Sequence, residues 1–223
     1  SHGDPSNVET RTFTVNTPGA GGTDFDFIAE DQGAIADILE LSPFHTTLLN
    51  NSGAADTYTV SMVKSAAESW VGTICAGETC YPPFITEIEV PLADGELINL
   101  DIDLTPGEIG EGTLAITITS GNNPGMSDSK NFTVITPGLD VLLVAGDDEM
   151  GSDVWYHDAL MAQGKTVGTW KRQEMGALSI SDVSAFDVIV WEAGTVEGGL
   201  DVYDFSALSY FIQHGGGLFL SGQ

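Results

Sequence analysis

The sequence predicts two units of different class: an all-β sandwich followed by an open parallel α/β sheet. Three observations predict this. Up to Thr136, short runs alternate apolar and polar residues and are separated by turn residues. From Leu139 on, the apolar runs are continuous, led by Val141-Leu142-Leu143-Val144-Ala145, which suits a strand buried on both faces. Between those later runs, apolar residues recur at helical spacing. Thr136-Pro137-Gly138 reads as a short, stiff hinge. The division is a flexible N-terminus over 1–10, a sandwich over 11–136 and an α/β unit over 139–223.

In the first unit, Thr12–Val15, Thr57–Val63, Ile85–Val90, Leu97–Leu104, Leu114–Thr119 and Asn131–Ile135 read as strands. In Ile98 to Leu104 the even positions face a core and the odd ones face water. Asn51-Ser52-Gly53, Ala93-Asp94-Gly95, Thr105-Pro106-Gly107 and Asn122-Asn123-Pro124-Gly125 supply the turns. Gly33 to Leu41 fits either a strand edge or a single helical turn. Asp101 and Asp103 share a strand face, as a polar outer face or as a carboxylate pair for a cation. Trp70 suits the core or the face of the cysteine loop.

In the second unit, Ser152 or Asp153 is expected to cap a helix running through Val154, His157, Leu160 and Met161, with Gly164 at its C-terminal cap. Strands are expected at Lys165–Trp170, Asp187–Trp191 and Gly217–Ser221. Asp204 is expected to cap a second helix with Phe205, Leu208, Phe211 and Ile212 on its apolar face, ended by Gly215. The order is β-α-β-β-α-β with an irregular second crossover. Such a unit ordinarily continues beyond its fourth strand, so a truncated chain or a fragment is expected.

Charge narrows the partners. Six Lys and Arg against 33 Asp and Glu give a net charge of −27, which repels nucleic acid and anionic membranes. No apolar run approaches the roughly 20 residues of a membrane span, and no signal peptide is expected from the given residues. Ser1 to Pro5 reads as a processed or cloning-derived end. Cys75 and Cys80 are the only cysteines. Two thiols make a poor zinc site, and the spacing is not C-x-x-C. A short disulfide loop follows, and with it an extracellular or cell-surface setting. Asn50-Asn51-Ser52 and Asn131-Phe132-Thr133 match the glycosylation sequon.

The densest acidic cluster is Asp147, Asp148, Glu149 and Asp153, just beyond the first α/β strand. Ligands of open α/β sheets gather beyond strand carboxyl ends. Hard oxygens there suit Ca²⁺, while the competing role is to favour a helix N-terminus. Ser221 as a nucleophile would need a nearby base, and His214 is close only in sequence. Gly215 to Gly217 lie between helix and strand, the reverse of a phosphate loop. No catalytic residues are assigned.

Two resemblances add to this reading. Trp70-Val71-Gly72-Thr73-Ile74-Cys75, Cys80-Tyr81-Pro82-Pro83 and Gly110-Glu111-Gly112-Thr113-Leu114 resemble immunoglobulin-like modules of secreted bacterial multidomain proteins. Val141–Val144, Asp147-Asp148, Phe186–Trp191 and Gly215–Gln223 are similar to the first half of a class I glutamine amidotransferase-like, flavodoxin-like domain of the divergent kind appended to secreted peptidases. That family places a Cys nucleophile where this chain has Leu220-Ser221-Gly222-Gln223, and its His and acid lie further downstream. The resemblance implies a non-catalytic interaction or spacer region of a secreted protein, with protein partners or self-association. The alternatives are a self-assembling surface subunit and a fragment of a secreted hydrolase.

Overall fold

The computed structural model describes residues 24–146, 151–194 and 200–222. The expected strand Thr12–Val15 and the acids Asp147, Asp148 and Glu149 lie outside the described residues.

The first unit is a β-sandwich of two five-stranded sheets. One sheet joins β1 (Phe25–Ala29), β3 (Ser42–Asn50), β8 (Leu97–Thr105), β5 (Val71–Ala76) and β6 (Thr79–Cys80), in that order. The other joins β2 (Gly33–Ile35), β10 (Ser127–Ile135), β9 (Glu111–Ser120), β4 (Asp56–Ser65) and β7 (Glu87–Leu92). All pairs are antiparallel except β2 with β10. Alternation puts Leu100, Ile102 and Leu104 inside, facing Val60, Ile116 and Ile118 in one apolar core. Gly33 to Leu41 resolves into the edge strand β2 followed by a turn.

Two strands were not legible as alternation. In β3 the inward residues are Ser42, Phe44, Thr46, Leu48 and Asn50, three of the five polar. Two of them are bonded inside: the Thr46 hydroxyl donates to the Leu100 carbonyl, and the Asn50 amide donates to the Leu92 and Ala93 carbonyls. Asn50 is fully buried, which removes the first sequon as a glycosylation acceptor. β5 is masked by its small residues. Beside it, Trp70 lies in the core, with room made by Gly112, where a Cβ would come within 2.4 Å of the indole.

The second unit is a four-stranded, wholly parallel sheet in the order β12 (Val167–Lys171), β11 (Val141–Ala145), β13 (Val188–Glu192), β14 (Gly217–Ser221). All five residues of β11 are buried. One face packs on α1 (Ser152–Ala162) through Tyr156 and Leu160. The other packs on α2 (Arg172–Met175), α3 (Ile180–Ser184) and α4 (Val202–Gln213). The irregular second crossover is therefore two short helices.

Four expectations for the helices are corrected. The cap of α1 is Gly151 with φ 58, not Ser152 or Asp153, and it makes no side-chain cap bond. Val154 and Met161 face outward, because the register that seats Tyr156 and Leu160 on the sheet turns them away. For α4 the cap is Asp201, and Asp204 is its capping-box partner three residues on. Phe205 and Ile212 consequently face solvent, while Ala207, Leu208 and Phe211 are buried.

The two units share a core. Ile135 at the end of β10 and Ile35 of β2 pack with Met175 and Trp170 of the α/β unit. Close approach requires glycine on both sides: a Cβ at Gly33 would lie 2.5 Å from Met175, and one at Gly168 would lie 2.5 Å from Ile135. The hinge is pinned, since Thr136 is fully buried and exchanges backbone and side-chain hydrogen bonds with Gly110. Across the junction the Glu111 carboxylate accepts the Thr169 amide at 2.7 Å.

Candidate functional site

The parallel registers align Lys171, Ala145, Glu192 and Ser221 in one row at the carboxyl end of the sheet. All four lie on the face that α1 covers, because side chains alternate and Leu143, Val190 and Phe219 form the next row down. The strand order reverses between β11 and β13, the crevice where open sheets take ligands.

Glu192 sits at the centre of this crevice and is only 6% exposed. Its Oε1 accepts the Gly194 amide at 2.9 Å, and its carbonyl accepts the Gly146 amide at 2.6 Å. Its Oε2 is buried with no hydrogen-bond partner among the described residues. The β11 chain leaves the sheet hard against it: a Cβ at Gly146 would lie 2.8 Å from the Glu192 carbonyl oxygen. Beside Glu192, the Tyr156 hydroxyl donates to Ser221 Oγ at 2.7 Å. The Ser221 carbonyl accepts the Ala193 amide at 2.7 Å. Tyr156 also leans on Phe219, ring centroids 6.2 Å apart.

The expected site residues fall as follows. Asp153 lies in the first turn of α1, half-buried. Asp147, Asp148 and Glu149 follow Gly146 in the chain but lie outside the described residues. Among the described residues, no three His, Cys, Asp or Glu side chains converge as a metal site. Cys75 and Cys80 are joined as a disulfide between β5 and β6. His214 accompanies the amino end of β14, where its Nδ1 lies 2.8 Å from the Tyr210 carbonyl, whereas Ser221 lies at the carboxyl end. His157 lies 3.7 Å from Asp158.

Asp101 and Asp103 occupy the outer sandwich face with separate partners. Asp101 meets His45 Nδ1 at 2.8 Å, and this hydrogen bond raises the imidazole pKa. Asp103 accepts the Thr73 hydroxyl, and burial raises its carboxyl pKa. Glu192 was missed because one acid ending an apolar run reads as the solvated end of a strand. The usable signal was its place at a strand's carboxyl end, next to the crevice.

No protein-family model and no curated protein matches the chain. Among solved structures, the N-terminal domain of PorA is 15% identical, covering 51% of this chain and 98% of that domain at a TM-score of 0.36. The secreted serine protease VesC from Vibrio cholerae is 14% identical over 54% of this chain and 24% of its own, TM-score 0.37. A family 123 glycoside hydrolase from Clostridium perfringens is 8% identical over 86% of this chain and 45% of its own, TM-score 0.38. Scores this low carry no inference about this chain's chemistry.

Proposed function

We propose that this chain is a non-catalytic interaction or spacer region of a secreted or cell-surface multidomain protein. It pairs an Ig-like sandwich with a flavodoxin-like, amidotransferase-related unit, with calcium on the acids that follow β11, Asp147, Asp148 and Glu149, and on Asp153. The observation that carries the reading is the continuous core between the units, at Ile35, Ile135, Trp170 and Met175. A shared core holds the units in one orientation, as a spacer requires. The disulfide favours an oxidising compartment. The sheet order matches the 2-1-3-4 start of the flavodoxin-like order.

The test compares wild-type protein and Ser221→Ala against ester and amide substrates. No turnover by either is expected. Turnover abolished in S221A would replace this reading with the hydrolase alternative.

One observation favours a second reading, self-assembly. Every other sheet edge carries a device against pairing: Asp26 in β1, two or three residues only in β6 and β2, Glu87, Glu89 and Pro91 in β7, and the Glu111 carboxylate capping Thr169 in β12. β14 reads Gly-Leu-Phe-Leu-Ser, with no charge and with Phe219 and Leu220 half exposed. Its near-palindrome would set Phe219 opposite its own copy and Leu218 opposite Leu220 in a two-fold antiparallel pair. Sedimentation velocity decides: Phe219→Asp should abolish any dimer that wild type forms.

A further inference from the structure

The start of the chain repeats the end of the sandwich. Arg11-Thr12-Phe13-Thr14-Val15-Asn16-Thr17-Pro18-Gly19 and Lys130-Asn131-Phe132-Thr133-Val134-Ile135-Thr136-Pro137-Gly138 are identical at six of nine positions, and Arg11 keeps the charge of Lys130. Two residues earlier, Glu9 stands where Asp128 stands. The spacing is 138 − 19 = 119 residues, the span of one sandwich with its hinge and an ordinary domain length. The first copy lies outside the described residues and is known by its sequence alone.

The second copy shows what each shared residue does. Phe132 is fully buried, its ring centroid 6.4 Å from that of Phe27 and 5.3 Å from that of Phe44. Val134 is buried in the same core. The Thr133 hydroxyl bonds that of Thr113 in β9 at 2.9 Å. Thr136 is fully buried and bonds Gly110, and Pro137-Gly138 turn the chain out of the sandwich, Gly138 with φ 93. The residues that the copies share are therefore those that the last strand of this sandwich needs.

The two clear differences point the same way. Asn131, which stands where the first copy has Thr12, is exposed. Ile135, which stands where it has Asn16, is the residue that packs into the α/β unit. A strand that leads into something other than an α/β sheet has no use for an apolar residue there. Gly19 is followed by Ala20-Gly21-Gly22, not by a counterpart of Leu139-Asp140-Val141.

The described sandwich has its last strand already: β10 lies between β2 and β9 and pairs with β9 along its whole length. A lone strand cannot bury its apolar face by itself. We propose that Glu9–Asn16 is the last strand of a preceding sandwich of the same kind. Its partner is a β9-like strand of that module, and the two sandwiches stand in tandem ahead of the α/β sheet. This lengthens the spacer proposed above but does not depend on it. Turnover of an ester or amide would overturn the spacer and leave the repeat standing.

The test reads the parent polypeptide from its native source, by intact mass and by peptide mapping upstream of Ser1. The preceding residues should spell a second sandwich, closing with an alternating strand of the Gly-x-Leu-x-Ile-x-Ile form seen at Gly112–Ile118. A parent that begins at Ser1, or one whose preceding residues lack that alternation, would overturn the proposal. A second measurement needs only the 223-residue chain. Phe132→Ala should lower its melting temperature by roughly 10 °C, because a fully buried ring leaves a cavity. Phe13→Ala should leave the melting temperature unchanged, because the core that Phe13 fills belongs to the preceding module. A fall in F13A would place Phe13 in the described sandwich and overturn the proposal equally.

Discussion

The sandwich and the α/β unit solve burial differently. The sandwich closes on itself: two sheets supply one core, and its four edges are short, charged or interrupted. The α/β sheet is covered unevenly. Three helices fill one face, while on the other α1 contributes no fully buried residue and leaves Phe219 half exposed. The difference teaches where each unit keeps its surplus. The sandwich stores polar groups inside, fully bonded, as Asn50 and Thr46 show. The α/β unit keeps apolar surface outside and one unpaired carboxylate oxygen within its carboxyl-end crevice. The first arrangement suits a scaffold and the second suits a binding surface.

Three perturbations bear on that contrast, from large to small. Trp70→Ala should remove about 3–5 kcal/mol, because a buried indole leaves a cavity between two closed sheets. Urea unfolding reads it directly, and a loss below about 1 kcal/mol would mean that the sandwich core is loosely packed. Arg172→Ala leaves the fully buried Asp204 without its cation, which should cost about 3 kcal/mol and unseat the start of α4. If the units unfold together, both variants shift one cooperative transition. If they separate, R172A moves only the α/β transition, and the shared core at Ile135 is not enough to couple them. Replacing both cysteines by serine should cost about 2 kcal/mol, since the loop closed is short. Comparing unfolding midpoints of the variant and the wild type checks it.

The pattern of the chain carried the contrast itself. Alternation announced β4, β7, β8, β9 and β10, and the unbroken run Val141–Ala145 announced a strand buried on both sides. Alternation failed where the inward residues are polar, as in β3, because hydropathy cannot distinguish a bonded buried Asn from a solvated one. Helical spacing located α1 and α4 but misjudged which apolar residues face the sheet. Val154, Phe205 and Ile212 satisfy the same period as Leu160 and Leu208, and only the packing partner chooses between them. For the site, the crevice could be read from strand ends and acids. Glu192 could not, since its significance lies in what surrounds it: a Gly194 amide bonded to its carboxylate and an emerging Gly146 bonded to its carbonyl.

The gentlest way to sharpen the comparison lies at the junction. Glu111 belongs to the sandwich, yet its carboxylate accepts an amide from the outer edge of the α/β sheet, and partial burial there raises its pKa. An acid whose folded pKa lies above its unfolded value binds more protons when folded. Its contribution is fully present below the ordinary glutamate pKa of 4.5 and is lost as pH rises through the folded value. Glu111→Gln removes that titration. Its stability should therefore fall less than that of wild type as pH climbs from 4.5 toward neutrality. The effect should be small, because the side chain keeps contact with water and solvent screens it. Parallel pH profiles for E111Q and wild type would mean that Glu111 is as solvated in the folded protein as in the unfolded chain. The two units would then meet through their apolar residues alone.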